Sequence, residues 1–236
     1  MTHPIPSRTY DLWSKVYDAT FGRLLVGGHK RAVQHLHLLG GQRILDVGVG
    51  TGIMLPYYPP DVTVVGVDLS GGMLARAAER CRVLGLLNGM LVRADAMRPP
   101  FSEGAFDHVI ISHTISVVSD PGAVLRWASR LVRPGGYVLV LNHFRSDNPV
   151  IAWFETVFNP LFVRLGWRSD LSLEEVLASS NLRLEYRFKR RLLDLWQIVV
   201  LARQTARPQS DLPVPERSPG EEAQPGGKWQ VAGGKW

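Results

Sequence analysis

Short apolar runs alternate with longer amphipathic segments through the middle of the chain. Helix-start residues and helical periodicity predict helices at 70–84 and 121–131. The apolar runs are too short for helices and predict strands. These runs are 43–47, 62–67, 90–93, 106–111 and 137–141. The alternation, with strands apolar on both faces, indicates a doubly wound α/β fold in which helices cover a mostly parallel sheet.

The segments that flank this alternation are different. Residues 10–39 predict helices with a break near Gly27-Gly28, and 143–170, rich in Trp, Phe, Asn and Pro, predicts an irregular insertion. A short helix and two strands follow, and the strands are expected to form an antiparallel hairpin at the sheet edge. These three segments are 172–179, 182–188 and 192–202. From Pro208 onward Pro, Gly, Glu and Gln dominate, which predicts a disordered tail at 208–236.

The first strand ends in a glycine-rich loop, Asp46-Val47-Gly48-Val49-Gly50-Thr51-Gly52. Alternate glycines permit a tight turn and the close approach of a ligand to the backbone. Both possible dinucleotide frames are incomplete, because Ile53 and Leu55 occupy the final glycine positions, and the Gly-Lys-Ser/Thr phosphate motif is absent. The charge of Asp46 would repel a pyrophosphate but suits a cationic amino-acid ligand.

Acidic residues follow the next two strands. Asp68, 20 residues after Gly48, is placed to accept hydrogen bonds from both ribose hydroxyls of an adenosine. Asp95 and Ala96 follow the third strand, where Asp95 can reach the exocyclic amine of adenine and Ala96 can flank the ring. Each residue alone also fits a turn or a helix cap. Their order and spacing together predict a ligand that combines an amino acid with adenosine.

Charge and cysteine content restrict the partners. The 236 residues have a net charge of +6, which favours an anionic partner, either nucleic acid or acidic lipid. The single cysteine, Cys81, excludes an intrachain disulfide and a cysteine-based metal site, so we expect a reducing compartment and no metal. Residues 1–9 lack the apolar core of a signal peptide, and 192–202 falls well short of the roughly 20 apolar residues that span a bilayer. The chain is therefore predicted not to span a membrane.

These motifs, together with Arg133-Pro134-Gly135-Gly136, resemble the successive motifs of class I methyltransferases over about residues 40–142. The resemblance implies a seven-stranded sheet with an antiparallel last strand, and S-adenosyl-L-methionine as cofactor. It implies that the loop holds the methionine part, Asp68 the ribose, and Asp95-Ala96 the adenine. The implied cofactor-binding residues are Asp46, Gly48, Gly50, Gly52, Asp68, Leu69, Asp95, Ala96 and His113.

A second resemblance concerns the substrate. The segment from Tyr10 to Gly22, with Trp13, Tyr17 and Phe21, is similar to the N-terminus of bacterial phosphatidylethanolamine N-methyltransferases of the soluble, membrane-associated type. Segments 140–144 and 165–168 match that family too. It implies N-methylation of phosphatidylethanolamine towards phosphatidylcholine. The N-terminal motif is shared in part with quinone-biosynthesis methyltransferases, so a small-molecule or quinone-type C- or O-methyltransferase stays open.

Methylation of a primary amine requires its neutral form. With a pKa near that of lysine, only about one amine in a thousand is neutral at pH 7. Candidate bases are His113 and His143, which follow the fourth and fifth predicted strands. Tyr10 and Tyr17 could hold the nitrogen as it becomes cationic. Arg145 and Arg168 are candidates for binding the lipid phosphate, because their guanidinium groups suit such an anion.

These predictions divide the chain into N-terminal aromatic helices that cover the active site (1–39), a methyltransferase domain (40–207) with a substrate insertion at 143–170, and the tail. The aromatic stripe of the first region either contacts the membrane interface or packs over the cofactor as core. No nucleic-acid partner is expected, since Ser112-His113-Thr114-Ile115 differs from the Asn/Asp-Pro-Pro-Tyr/Phe motif of base methyltransferases. No obligate protein partner is expected, and we predict a cytoplasmic protein bound peripherally to the inner face of the bacterial membrane.

Overall fold

Strands and helices alternate along the part of the chain that the computed structural model describes, residues 23–86, 88–146, 148–164, 168–189 and 196–204. The helices are α1 (Arg23–His35), α2 (Gly71–Leu84), α3 (Pro121–Leu131), α4 (Pro149–Arg164) and α5 (Leu173–Ala178). The strands are β1 (Arg43–Val47), β2 (Thr63–Asp68), β3 (Gly89–Arg93), β4 (Phe106–Ser112), β5 (Val132–Asn142), β6 (Leu182–Phe188) and β7 (Gln197–Arg203).

The strands form one seven-stranded sheet in the order β3-β2-β1-β4-β5-β7-β6. The first five strands in this order are parallel, whereas β7 is antiparallel to both β5 and β6. This confirms the predicted doubly wound sheet and the antiparallel end of the chain. The strand order reverses between β1 and β4, and in open α/β sheets ligands bind outside the carboxyl ends of the strands at such a point.

The central strands β1, β2 and β4 are buried on both faces, whereas most residues of the outer strands β3 and β6 are partly or fully exposed. Neighbouring residues of a strand point to opposite sides of the sheet. In β1, Leu45 packs with α3 and α5, whereas Ile44 packs in the layer that contains α1. The predicted helix signals are confirmed at α2, where Ser70 caps the N-terminus by accepting a hydrogen bond from the Met73 N–H and Gly85 ends the helix in the left-handed conformation.

Two predictions about the flanks are wrong. Helix α1 runs through Gly27-Gly28 without a break. An added Cβ at Gly28 would lie 3.7 Å from the Leu141 side chain, so the helix packs closely on the sheet there, and tertiary packing offsets the poor helix propensity of glycine. The supposedly irregular insertion contains α4, a 16-residue helix that includes Pro160.

The start of strand β5 also differs from the prediction. Strand β5 begins at Val132, before the glycine pair, and it pairs with β4 at Phe106 and again from His108, with an irregularity between. The predicted helical segment before residue 23, the start of the last predicted strand and the tail at 208–236 lie outside the described residues. None of the helices in the described ranges is both long and apolar enough to cross a bilayer.

Candidate active site

The glycine-rich loop after β1 has three glycines with positive φ, at +72° for Gly48, +55° for Gly50 and +75° for Gly52. A Cβ at Gly48 would lie 1.8 Å from the Thr114 hydroxyl, and one at Gly52 would lie 2.8 Å from Leu55. The corresponding position at Gly50 has no protein atom nearer than 3.9 Å. Internal packing therefore requires Gly48 and Gly52, whereas Gly50 leaves an open cradle that fits a ligand lying against the backbone.

Asp68, the last residue of β2, fixes this loop. Its carboxylate oxygens accept hydrogen bonds from the Gly50 N–H and the Ser70 N–H, each at 2.9 Å. A carboxylate has about four acceptor positions, so this role is compatible with the predicted bonds to ribose hydroxyls. Leu69, between the two anchored segments, is 53% exposed and presents an apolar surface beside the loop.

Asp46 lies beneath the loop and is fully buried. The Tyr58 hydroxyl donates a hydrogen bond to Oδ2 at 3.0 Å, whereas Oδ1 has no hydrogen-bond partner among the described residues. Burial raises the pKa of Asp46 to about 7, against the opposing effect of the Tyr58 bond and with a smaller contribution from Asp68. A cationic amino group at the loop would stabilise the ionised carboxylate, so Asp46 fits the predicted methionine end of the cofactor.

Asp95 and Ala96 follow β3, next to the end of β2. The Met97 N–H donates a hydrogen bond to the Asp95 carboxylate at 2.8 Å, and Ala96 packs against the core. The structure thus gives Asp95 a turn-stabilising role, and its contact with adenine stays a prediction. The parallel pairing of β1, β2 and β3 brings all three predicted cofactor segments to one edge of the sheet.

His113, directly after β4, has a left-handed backbone with φ of +53°. Its imidazole packs edge-on against His29, at 5.2 Å between ring centroids, and against Trp196 at 4.5 Å. Both ring nitrogens are buried and have no hydrogen-bond partner among the described residues. Burial, together with His29, lowers the pKa of His113 to about 3, so its imidazole is neutral at physiological pH.

His113 is joined to the cofactor loop through its neighbour. The Thr114 hydroxyl, which has a single hydrogen to donate, lies within hydrogen-bond distance of two carbonyl oxygens, that of Val47 at 3.1 Å and that of Ser112 at 2.9 Å. Burial also lowers the pKa of His29 to about 4. Two neutral imidazoles, His113 and His29, are therefore in contact at the carboxyl end of β4, next to Thr114 and its bond to β1.

His143, directly after β5, forms a pair with an acidic residue of α4. Its Nε2 lies 3.4 Å from Glu155 Oε1, and the side chains are only 10% and 13% exposed. The Ser146 N–H donates a hydrogen bond to Glu155 Oε2 at 2.7 Å, which fixes the carboxylate. The Trp196 ring lies edge-on to the His143 ring, with 6.3 Å between the ring centroids. The site thus contains an oriented carboxylate–imidazole pair beside an aromatic wall.

The two predicted phosphate-binding arginines lie on adjoining segments. The Arg145 N–H donates a hydrogen bond to the Leu171 carbonyl, and the Arg145 side chain is exposed. The Arg168 guanidinium pairs with Asp170 at 3.1 Å. Part of its charge is therefore neutralised within the chain, and phosphate binding by either residue stays a prediction.

Sequence reasoning missed His29, Glu155 and Trp196. A lone acid inside the apolar run 150–158 was a usable signal for Glu155, since an isolated charge among apolar residues normally has a partner. His29 and Trp196 gave no signal, because only the tertiary fold brings α1 and the residue before β7 into contact with His113. The predicted residues Tyr10 and Tyr17 lie outside the described residues.

Comparisons with known proteins agree with this geometry. A family described as a methyltransferase domain matches residues 45–140. A solved structure from Thermotoga maritima, described as a possible histamine N-methyltransferase, has a TM-score of 0.63 at 17% identity, covering 84% of this chain and all of that one. A methyltransferase from Aquifex aeolicus has a TM-score of 0.59 at 17% identity, covering 84% and 98%. The chain belongs to the class I S-adenosylmethionine-dependent methyltransferases, and its cofactor is S-adenosyl-L-methionine.

Two sequence relatives differ in substrate. The chain is 38% identical over 177 residues to phosphatidylethanolamine N-methyltransferase from Cereibacter sphaeroides, covering 75% of this chain and 86% of the relative. It is 31% identical over 164 residues to demethylmenaquinone methyltransferase from Corynebacterium kroppenstedtii, covering 67% of each.

Proposed function

We propose that this methyltransferase transfers methyl groups to the nitrogen of phosphatidylethanolamine and its mono- and dimethylated forms, towards phosphatidylcholine, at the inner face of the bacterial membrane. The His143–Glu155 pair beside Trp196 is the observation that carries the proposal. The similarity to the Cereibacter enzyme, over most of that enzyme's length, supports it further.

The reaction needs a group that takes a proton from the amine. When bound, S-adenosylmethionine supplies an electrophilic methyl group on a sulfonium. His143 accepts a proton from the substrate nitrogen, whose lone pair forms the new N–CH₃ bond as the S–CH₃ bond breaks. Glu155 faces His143 and stabilises the imidazolium that results. Trp196 suits the developing cation, since an aromatic face stabilises one by roughly 0.5–2 kcal/mol.

The two candidate bases differ in environment. His113 is buried against Trp196 and the neutral imidazole of His29, and its lowered pKa of about 3 makes it a weak base near neutrality. His143 instead lies 3.4 Å from Glu155, whose carboxylate orients the imidazole. We therefore assign the proton transfer to His143 and a hydrogen-bonding role at the floor of the site to His113.

Methylation of demethylmenaquinone is the second candidate, favoured by the relatives that are 30–32% identical to the chain. It forms a C–CH₃ bond, and the same base could take the proton released from the ring. A cation-stabilising wall such as Trp196 has no function in that reaction, because no lasting positive charge forms on the substrate.

The test uses the full chain, labelled S-adenosylmethionine, and vesicles that contain either phosphatidylethanolamine or demethylmenaquinol. We expect mono-, di- and trimethylated lipid by mass spectrometry and no methylated quinone. Methylated quinone with unmodified ethanolamine lipid would reverse the assignment.

Variants of the pair test its role. His143→Ala should lower kcat by roughly a hundredfold or more, while the affinity for S-adenosylmethionine stays within about twofold. Glu155→Gln should lower kcat less than His143→Ala, because it keeps the imidazole and removes only the carboxylate that orients it. Glu79→Gln, which breaks an exposed ion pair with Arg82, is the matched control and should leave kcat unchanged. Wild-type kcat in His143→Ala would remove His143 from the reaction.

A further inference from the structure

Helix α4 has its polar and apolar faces reversed relative to the usual surface helix. Five large apolar side chains on one face are exposed, and they account for five of the eleven exposed large hydrophobic residues in the described part of the chain. Their spacing of i, i+3, i+4, i+7 and i+8 places them on a single face. These residues, the α4 face, are Val150, Trp153, Phe154, Val157 and Phe158.

The inward side of α4 is held by polar contacts. Glu155 faces His143 and accepts a hydrogen bond from the Ser146 N–H. One turn later, the Asn159 side chain accepts a hydrogen bond from the Ser169 N–H at 3.0 Å, and the Ser169 hydroxyl donates to the Glu155 carbonyl at 2.8 Å. The helix is therefore fixed to the site through its polar side, so the outward direction of the α4 face is set by the fold.

We infer that the α4 face inserts into the interfacial region of a phospholipid bilayer. This inference rests on the proposed function, because a lipid substrate requires the mouth of the site to meet a bilayer. Contiguous exposed apolar patches mark protein or membrane contact sites. Glu155, on the inward side of the same helix, contacts His143, so the proposed proton acceptor lies directly behind the α4 face.

The composition of the α4 face fits lipid as the occupant. The ring centroids of Trp153 and Phe154 lie 4.9 Å apart, and those of the stacked rings of Phe154 and Phe158 lie 6.2 Å apart, so the aromatic rings form a continuous row. Aromatic side chains of this kind occupy the headgroup level of membranes. Within 149–160 the only charged residue is Glu155, which faces inward. The exposed Arg145 precedes the helix by four residues and adds a positive charge that complements anionic lipid.

The experiment measures binding of the full chain to vesicles of phosphatidylcholine and phosphatidylglycerol, which lack the proposed substrate. A triple variant of the α4 face should bind these vesicles at least about tenfold more weakly and retain its S-adenosylmethionine affinity within about twofold. A matched triple variant removes equally exposed apolar residues elsewhere and should bind like the wild type. The first combines Trp153→Ser, Phe154→Ser and Phe158→Ser, and the second combines Val83→Ser, Leu84→Ser and Met90→Ser.

A labelling measurement keeps the test valid if the first variant fails to fold. With Cys81→Ser as background, a polarity-sensitive fluorophore on Val157→Cys should shift to the blue when vesicles are added, and one on Val83→Cys should not. An unchanged label at 157, or wild-type vesicle binding by the α4 triple variant, would overturn the inference. A blue shift that follows protein concentration without lipid would assign the face to a second copy of the chain instead.

The two proposals fail in different ways. A protein that docks through the α4 face but leaves phosphatidylethanolamine unmethylated contradicts the proposed function alone. A protein that methylates this lipid while docking is insensitive to the α4 substitutions contradicts the docking surface alone.

Discussion

Replacing Asp68 with asparagine tests how the cofactor site is built. The carboxylate accepts hydrogen bonds from the Gly50 and Ser70 N–H groups through its two oxygens. An asparagine of nearly the same shape keeps one acceptor oxygen and presents an NH₂ group to the other donor. One loop bond is therefore lost, and the remaining bond, together with any bond to a ribose hydroxyl, is no longer charge-assisted.

The expected loss of S-adenosylmethionine affinity follows from these contacts. A hydrogen bond to a charged group contributes roughly 1.5–3 kcal/mol. If ligand binding loses only the lower value, S-adenosylmethionine affinity falls at least about tenfold, since each 1.4 kcal/mol is a factor of ten. Asp68→Ala removes both acceptors and should weaken binding more than Asp68→Asn.

Titration calorimetry with S-adenosylmethionine measures the affinity, and thermal unfolding of the ligand-free protein measures the loop contribution. Asp107→Asn is the matched control, because Asp107 also holds a backbone N–H, that of Arg43 at 2.7 Å, but at the opposite edge of the sheet. The control should lose stability and keep its affinity. Unchanged affinity in folded Asp68→Asn and Asp68→Ala would refute the assignment of Asp68 to the cofactor site.

Two further predictions concern the loop and the buried histidine. Gly50→Ala should reduce S-adenosylmethionine binding while the protein still folds. The added methyl group meets no protein atom nearer than 3.9 Å and enters the open cradle, and the positive φ of +55° costs only about 1–2 kcal/mol. Gly48→Ala should destabilise the protein much more, because its methyl group would also lie 1.8 Å from the Thr114 hydroxyl. Equal affinity in Gly50→Ala and the wild type would contradict this, and calorimetry and circular dichroism separate the two effects. The lowered pKa of His113, about 3, means that the unfolded chain binds a proton below about pH 6.5 that the folded chain does not. Stability is therefore lost as pH falls through about 6.5. From about pH 7 to pH 5, the free energy of unfolding should fall by about 2 kcal/mol less in His113→Asn than in the wild type. Denaturant titrations measure this difference, and the same pH dependence in both proteins would show that His113 is protonated in the folded state.

The sheet and its cofactor edge were predictable because local signals and tertiary structure agree there. The apolar runs of β1, β2 and β4 are short, buried on both faces and bounded by turn residues, so periodicity alone identified them. The glycine loop was predictable because positive φ requires glycine, and all three glycines that the motif singled out have positive φ.

The prediction failed where tertiary packing overrides local preference. Gly27-Gly28 reads as a helix break, yet the close approach of Gly28 to Leu141 makes a small residue suitable inside α1. Helix α4 was missed because the Asn and Pro content of 143–170 indicated irregular structure, although 149–164 is helical throughout.

The substrate side of the site was only partly predictable for a topological reason. His113 and His143 follow predicted strands, so their position at the sheet edge could be inferred. Their partners come from distant segments, with His29 on α1, Glu155 on α4 and Trp196 just before β7. Single-sequence patterns carry no information about which distant segments meet.

The position of β7 has a consequence for the order in which the enzyme becomes competent. This strand is the last one along the described part of the chain but lies inside the sheet, between β5 and β6, and Trp196 directly precedes it. The loops after β1, β2 and β3 leave the ribosome more than a hundred residues earlier. A nascent chain can therefore assemble its methyl-donor half first, and the aromatic wall of the acceptor half is added when the final strand inserts, so incompletely synthesised chains carry the cofactor loops without a complete site for the amine.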